Sequence, residues 1–351
     1  MPLFISSSND RLPAGPWART WLMTALLVCS IIGGYEGFFR LHGFRPGLRD
    51  IPGSWALERL KLKSGNPEQV VLLGSSRIQL GIDLEVFARN FPGPKPIQLA
   101  IDHTAPNAIL TNLAEDESFR GIVICAEEAG AIYAFNSRDR LDWDRRDLEY
   151  LRFYQKLSPA DWMEQHLVMA VEKTFTLCLP ELTPFNLLAS LREGKLPDHP
   201  YVLTLADRSR RGYYWDLPDL NERRRQREEQ FAKAAPVRVS PTELEASLDQ
   251  VEDAVARIQA RGGKVVFVEF PSSGIVRQAE DRDFPRSRFW DLWAGRTRAV
   301  MIHYQDYPEL ARFECPDYSH LDHRDAVPFT EALARVIRQK LEDQRALPNL
   351  R

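Results

Sequence analysis

Three apolar runs without alternating polar residues constrain the fold of this chain more than any other feature. They lie within residues 68–73, 121–128 and 264–270. Continuous apolar runs of this length are typical of strands that a parallel sheet buries on both faces. Segments with helical periodicity separate them. This alternation of strands and helices predicts a doubly wound α/β sheet.

Further strands and helices complete the pattern, and residues 129–235 interrupt it. We expect two more strands, at 96–101 and 299–305, and helices at 83–91, from Pro106, from Ser240 to about Arg261 and at 326–342. Charged and aromatic residues at helical spacing fill residues 129–235, which predicts a mostly helical insertion. Its basic stretch, 207–233, is either a solvated surface or a lid that meets an anionic polymer or lipid headgroups.

The N-terminus carries a long apolar segment. Residues 21–39 contain no charge before Glu36, and with the flank from Trp17 they are long enough to cross a bilayer, which takes about 20 residues. No small-x-small cleavage site follows, so we expect an uncleaved signal anchor rather than a removed signal peptide or a buried core helix.

The anchor divides the chain into predicted segments. We expect a cytoplasmic tail at 1–16, a single transmembrane helix at 17–39, a connector at 40–66 and the α/β domain at 67–345. Arginines flank the helix on both sides, so the positive-inside rule does not decide its orientation. A short tail before a large domain favours a domain outside the cytoplasmic membrane.

Composition excludes several classes of function. The chain is 44% hydrophobic and 27% charged with a net charge of -3, which is typical of a folded protein and indicates no nucleic-acid partner. Cys315, His320, Asp322 and His323 match no common zinc spacing. We therefore expect no metal and no cofactor.

Two short motifs contain the parts of an acyl-transfer site. Gly74, Ser75 and Ser76 follow the first strand, and Asp317 and His320 lie three residues apart before the last helix. This spacing lets a carboxylate orient one ring nitrogen while the other takes a proton from a hydroxyl. The alternative to a catalytic role is that the two serines only cap a helix.

The two motifs together resemble those of the SGNH, or GDSL-type, hydrolase superfamily, over about residues 68–130 and 240–342. The resemblance implies a three-layer α/β/α, flavodoxin-like fold, with Ser76 as nucleophile, His320 as base and Asp317 as the acid that orients it. The Gly-Ser-Ser variant looks like membrane-anchored members that move acyl groups on envelope polymers.

The chain departs from the family at the oxyanion hole. His103 stands near the place of the glycine in the family's second block, and Glu127 and Glu128 stand where its third block has an asparagine. A carboxylate cannot donate to an oxyanion unless it is protonated. The expected cleft therefore contains Ser76, His103 and Glu127, with His103 as either a turn residue or a lining residue.

Three functions fit these residues. The first is a membrane-anchored serine esterase or O-acyltransferase acting on an acylated cell-envelope glycan or related ester. The second is a catalytically degenerate module that binds glycan or an envelope assembly partner. A weaker third is a phosphate-binding domain that uses the turn at Gly74 and the following helix N-terminus, which leaves Asp317 and His320 without a role.

Overall fold

The computed structural model describes residues 15–62, 65–127, 130 and 141–346. The chain forms two compact units. The smaller unit comprises residues up to 46 together with 175–199, and the larger comprises 47–174 together with the chain from 200 onward.

A five-stranded sheet forms the centre of the larger unit, with the order β2-β1-β3-β6-β7 and all neighbours parallel. This confirms the predicted α/β class. A separate antiparallel pair, β4 and β5, lies in the insertion and was not predicted. The strands are β1 (Val70–Leu73), β2 (Ile97–Gln98), β3 (Ile122–Glu127), β4 (Val202–Thr204), β5 (Arg210–Gly212), β6 (Lys264–Glu269) and β7 (Val300–His303).

The apolar runs form strands because both faces of the sheet are covered. Along β1, Val71 and Leu73 belong to one hydrophobic cluster, whereas Val70 and Leu72 belong to another. All four side chains are completely buried. A strand with apolar residues at every position is stable only where neither of its faces meets water.

Helices cover both faces of the sheet and form much of the described part of the insertion. Ser158 and Ser240 each form a capping box at the start of a helix, and Asp83 caps the backbone N–H groups of Glu85 and Val86. The helices are α1 (Trp17–Leu41), α2 (Pro52–Leu60), α3 (Ser76–Gly81), α4 (Leu84–Asn90), α5 (Asn107–Glu115), α6 (Leu141–Gln155), α7 (Pro159–Glu172), α8 (Pro184–Arg192), α9 (Leu220–Lys233), α10 (Pro241–Ala260), α11 (Gly274–Asp283), α12 (Trp290–Ala294), α13 (Pro308–Ala311) and α14 (His323–Ala346).

The smaller unit contains α1, α8 and two short 3-10 helices, Thr176–Cys178 and Pro180–Leu182. Among the described residues, α1 is the one helix long and apolar enough to cross a membrane. It lies near the N-terminus, which is consistent with single-pass anchoring.

Candidate functional site

A sharp turn presents the hydroxyl of Ser76. Strand β1 ends at Leu73, and Ser76 is the first residue of α3. Gly74 makes this turn with φ +131°, and a Cβ there would lie 2.9 Å from both the Cβ and the carbonyl oxygen of Ala126. Only glycine fits this conformation and this close approach. Ser75 occupies the N-cap position without a capping hydrogen bond from its side chain.

The structure brings together the three residues that the two motifs contributed. Ser76 Oγ lies 2.8 Å from His320 Nε2, although the two residues are 244 positions apart. His320 Nδ1 lies 2.8 Å from Asp317 Oδ2. The other oxygen of Asp317 accepts backbone N–H bonds from Ser319 at 3.0 Å and from His320 at 2.8 Å. This hydrogen-bonded chain, Ser76–His320–Asp317, is called the relay below.

The electrostatic environment keeps Asp317 ionised. Burial by itself would raise the pKa of its carboxyl group. The adjacent His320 and the cation of Arg227 outweigh that effect and hold the pKa of Asp317 at about 2. An ionised carboxylate can hold the imidazole in one orientation and stabilise its protonated form.

Tyr214 covers one face of the His320 ring. The two rings are stacked, with centroids 5.6 Å apart and an interplanar angle of 5°. Tyr214 is buried, and burial raises the pKa of its phenol well above the usual value. A neutral aromatic ring in this place restricts rotation of the imidazole and shields one of its faces from water.

Helix α9 supplies a cation to the relay. Nη1 of Arg227 donates to the backbone carbonyl oxygen of Asp317 at 2.9 Å and lies 3.5 Å from Asp317 Oδ2. Sequence reasoning missed both Arg227 and Tyr214, because they lie in the insertion and belong to no local motif. The basic character of residues 207–233 was the one signal available.

A small polar cavity adjoins the relay on the Asp317 side. Its volume is about 220 Å³, and amide, guanidinium and phenol groups form much of its wall. The lining residues are Tyr201, Tyr214, Leu217, Arg223, Gln226, Arg227, Gln230 and Asp317.

Two backbone positions, Ser76 and His103, are candidate oxyanion donors. The N–H of Ser76 lies at the first position of α3, where no intrahelical acceptor is available. His103 has φ +57°, in the left-handed region that glycine favours, and its side chain is 77% exposed. The imidazole of His103 therefore projects into solvent. The unusual feature of His103 is its left-handed backbone conformation.

Asp102, beside His103, is fixed by a cation of the insertion. Its Oδ2 accepts a hydrogen bond from Arg210 Nη1 at 2.9 Å. Burial opposes ionisation of Asp102, but Arg210, with smaller contributions from His103 and His320, lowers the pKa of its carboxyl group. Arg210 belongs to the unpredicted β4–β5 pair, so sequence reasoning missed this contact as well.

Glu127 is buried at the carboxyl end of β3, beside Glu269 of β6 in the sheet register. Glu128 lies outside the described residues. Within the described part of the chain, no group of three or more His, Cys, Asp and Glu side chains could hold a metal ion. Cys315 instead contacts the carbonyl oxygen of Pro271, and His323 pairs with Asp322.

A scan against models of known protein families finds no match, and neither does a search of curated proteins. Function therefore has to follow from the geometry of the site. A hydroxyl bonded to an imidazole, which is itself bonded to an ionised carboxylate, is an arrangement that can activate an oxygen nucleophile.

Proposed function

We propose that this chain is a membrane-anchored serine esterase or O-acyltransferase of the SGNH, or GDSL-type, superfamily. Its proposed substrate is an acylated cell-envelope glycan or a related ester. The observation that supports the proposal most strongly is the relay, with hydrogen-bond distances of 2.8 Å on both sides of His320.

In the proposed reaction, Ser76 Oγ attacks the ester carbonyl carbon while His320 Nε2 takes the hydroxyl proton. Asp317 stabilises the imidazolium that forms. The tetrahedral intermediate then collapses, the C–O bond to the alcohol breaks, and His320 returns the proton to the leaving oxygen. Water or a sugar hydroxyl next attacks the acyl-serine, which gives a free acid or a new ester and regenerates Ser76.

Backbone groups are the proposed oxyanion donors. The N–H of Ser76 is one, and the left-handed backbone at His103 supports a second donor where the superfamily has glycine. Glu127 replaces the side-chain donor expected at the end of β3. Loss of one oxyanion donor typically slows a reaction by ~100-fold to 1,000-fold, so we expect slow turnover of simple esters.

The sheet supports a flavodoxin-like, three-layer assignment. Counted along the sheet without the β4–β5 pair, its strand order is 2-1-3-4-5, which is the order of flavodoxin-like folds. Ligands of such sheets bind outside the carboxyl ends of the strands, where Ser76 lies. We further propose that α1 is an uncleaved signal anchor, with residues 1–16 cytoplasmic and the larger unit outside the cytoplasmic membrane.

The main competing function is a catalytically degenerate module that binds glycan or an envelope assembly partner. Glu127 favours it, because a buried carboxylate replaces the expected oxyanion donor. Nitrophenyl acetate hydrolysis by the full-length protein and by Ser76→Ala separates the two functions. The esterase predicts turnover that the variant loses, whereas equal rates for both proteins would favour the binding module.

A further inference from the structure

Helix α8 leaves an apolar face without a protein partner in the described structure. Phe185 is 81% exposed, Leu188 is 51% exposed and Leu191 is 68% exposed. Residues three apart on a helix lie on the same side, so these side chains form one continuous surface. This surface, Phe185, Leu188 and Leu191, is called the outer face of α8.

The segment that carries α8 is attached to the C-terminal part of α1. Tyr35 Oη donates to the carbonyl oxygen of Leu182 at 2.8 Å. The Glu36 carboxylate accepts from both the backbone N–H and the hydroxyl of Thr176, each at 2.9 Å. The position of the segment along α1 is therefore set by specific hydrogen bonds.

Apolar packing reinforces this attachment. Phe39 and Phe44, at the end of α1 and just beyond it, form a cluster with Leu179 and Leu182. Leu187 of α8 packs against the same cluster. One apolar residue of α8 therefore faces protein, while the outer face remains exposed.

The depth of this attachment in a bilayer follows from helix geometry. About 20 residues of helix cross the hydrocarbon core of a bilayer, which is ~30 Å thick. Counted from Trp17, the first residue of α1, this length ends at Glu36. Glu36 and the segment bonded to it then lie at the boundary between acyl chains and headgroups.

We infer that the outer face of α8 docks onto the lipid surface beside α1. An amphipathic helix at this depth buries its apolar side chains in the acyl–headgroup boundary. The occupant is the bilayer because the segment that carries this face is bonded to α1 at Glu36, where the span leaves the acyl chains. This inference depends on α1 spanning the membrane and is independent of any chemistry at Ser76.

A lipid-quenching experiment on the full chain in nanodiscs tests the inference. An environment-sensitive nitrobenzoxadiazole probe is attached to Leu188→Cys, after Cys29 and Cys178 are changed to serine. Cys125 and Cys315 are buried and do not interfere. Two matched single-probe proteins serve as controls, one labelled at the native Cys29 inside α1 and one at Asp253→Cys, on the exposed side of α10.

The inference predicts blue-shifted emission at position 188 and strong quenching by lipids with a doxyl group near the headgroup. The Cys29 probe should be quenched by deeper doxyl groups, and the probe at 253 by neither. A quenched Cys29 probe with an unquenched probe at 188 overturns the inference while keeping the anchor. Blue-shifted but unquenched emission at 188 overturns it in favour of a protein partner, such as a second copy. An unquenched Cys29 probe would contradict both the membrane anchor and the inference.

Discussion

Arg227 Nη1 lies 3.5 Å from the Oδ2 of Asp317, the oxygen that also bonds to His320. The guanidinium group of Arg227, from the insertion, therefore lies beside the carboxylate end of the relay. Positive charge disfavours protonation of neighbouring groups, and it contributes to the pKa of about 2 at Asp317. We infer that Arg227 is a positioning residue, which acts on the reaction through Asp317.

The substitution Arg227→Gln should move the acid limb of the pH–rate profile to higher pH. Asp317 is ionised at any pH well above 2, so its protonation does not limit the wild type near neutrality. Without the cation of Arg227, the pKa of Asp317 rises and the Asp317–His320 pair takes up a proton at higher pH. A pair that already holds this proton cannot accept the proton of Ser76, so activity falls at higher pH than in the wild type. A hydrogen bond to a charged group is worth about 1.5–3 kcal/mol, so kcat should also fall roughly tenfold or more.

Two variants make this measurement specific to the position of the charge. Arg225→Gln removes an exposed arginine of the same helix and should leave the profile unchanged. Arg227→Lys keeps the charge and should restore part of the profile. An unchanged acid limb in Arg227→Gln would show that Arg227 does not act on the relay.

Tyr214→Ala should lower kcat, whereas Tyr214→Phe should retain most of it. The stacked ring restrains His320, and phenylalanine preserves the ring while removing the hydroxyl. Aromatic pairs contribute about 0.5–1.5 kcal/mol beyond simple burial, which corresponds to roughly a twofold to tenfold loss of rate for alanine. Steady-state kinetics well below the unfolding temperature give kcat and KM separately. A phenylalanine variant as impaired as the alanine variant would assign the role to the hydroxyl.

Gly74→Ala should destabilise the protein and reduce covalent labelling of Ser76 by a fluorophosphonate. The added Cβ would meet Ala126 at 2.9 Å, in a backbone conformation with φ +131°. Strain at such a position costs of order 1–3 kcal/mol, before any cost of overpacking. Gly295→Ala is the matched control, because a Cβ there makes only ordinary contacts of 3.5 Å or more. Thermal unfolding in detergent compares the two, and equal Tm values would contradict the prediction.

Arg208→Met should destabilise the larger unit by about 3–5 kcal/mol. Arg208 is 1% exposed and binds the Asp50 carboxylate and the carbonyl oxygens of Gln98 and Ala100. Its removal leaves Asp50 with an uncompensated buried charge. Arg211→Met, at an exposed position in the adjacent strand, removes only a distant surface pair and should change stability by less than about 1 kcal/mol.

Residues of the relay could be predicted because each belongs to a local pattern. Ser76 follows an apolar strand at a glycine turn, and Asp317 and His320 have a fixed short spacing before a helix. Tyr214 and Arg227 could not be predicted, since no short-range rule indicates that a distant insertion folds back over a histidine.

The secondary structure could likewise be predicted only in part. Strand β2 was expected at 96–101 but includes only Ile97–Gln98. The N–H groups of Leu99 and Ile101 still donate to Leu72 and Gly74, but the carbonyl oxygen of Leu99 accepts from the indole N–H of Trp55. Strands β4 and β5 contain three residues each, which is too short for an alternating pattern to be detected.

The most direct test of the proposed function is covalent labelling of the full-length protein with a fluorophosphonate, followed by peptide mass spectrometry. An activated serine should carry the phosphonyl adduct on Ser76, and Ser76→Ala should lose labelling while its thermal unfolding curve stays close to that of the wild type. Labelling of the wild type and Ser76→Ala to the same extent, or an adduct mapped only to another residue, would contradict the proposed role of Ser76.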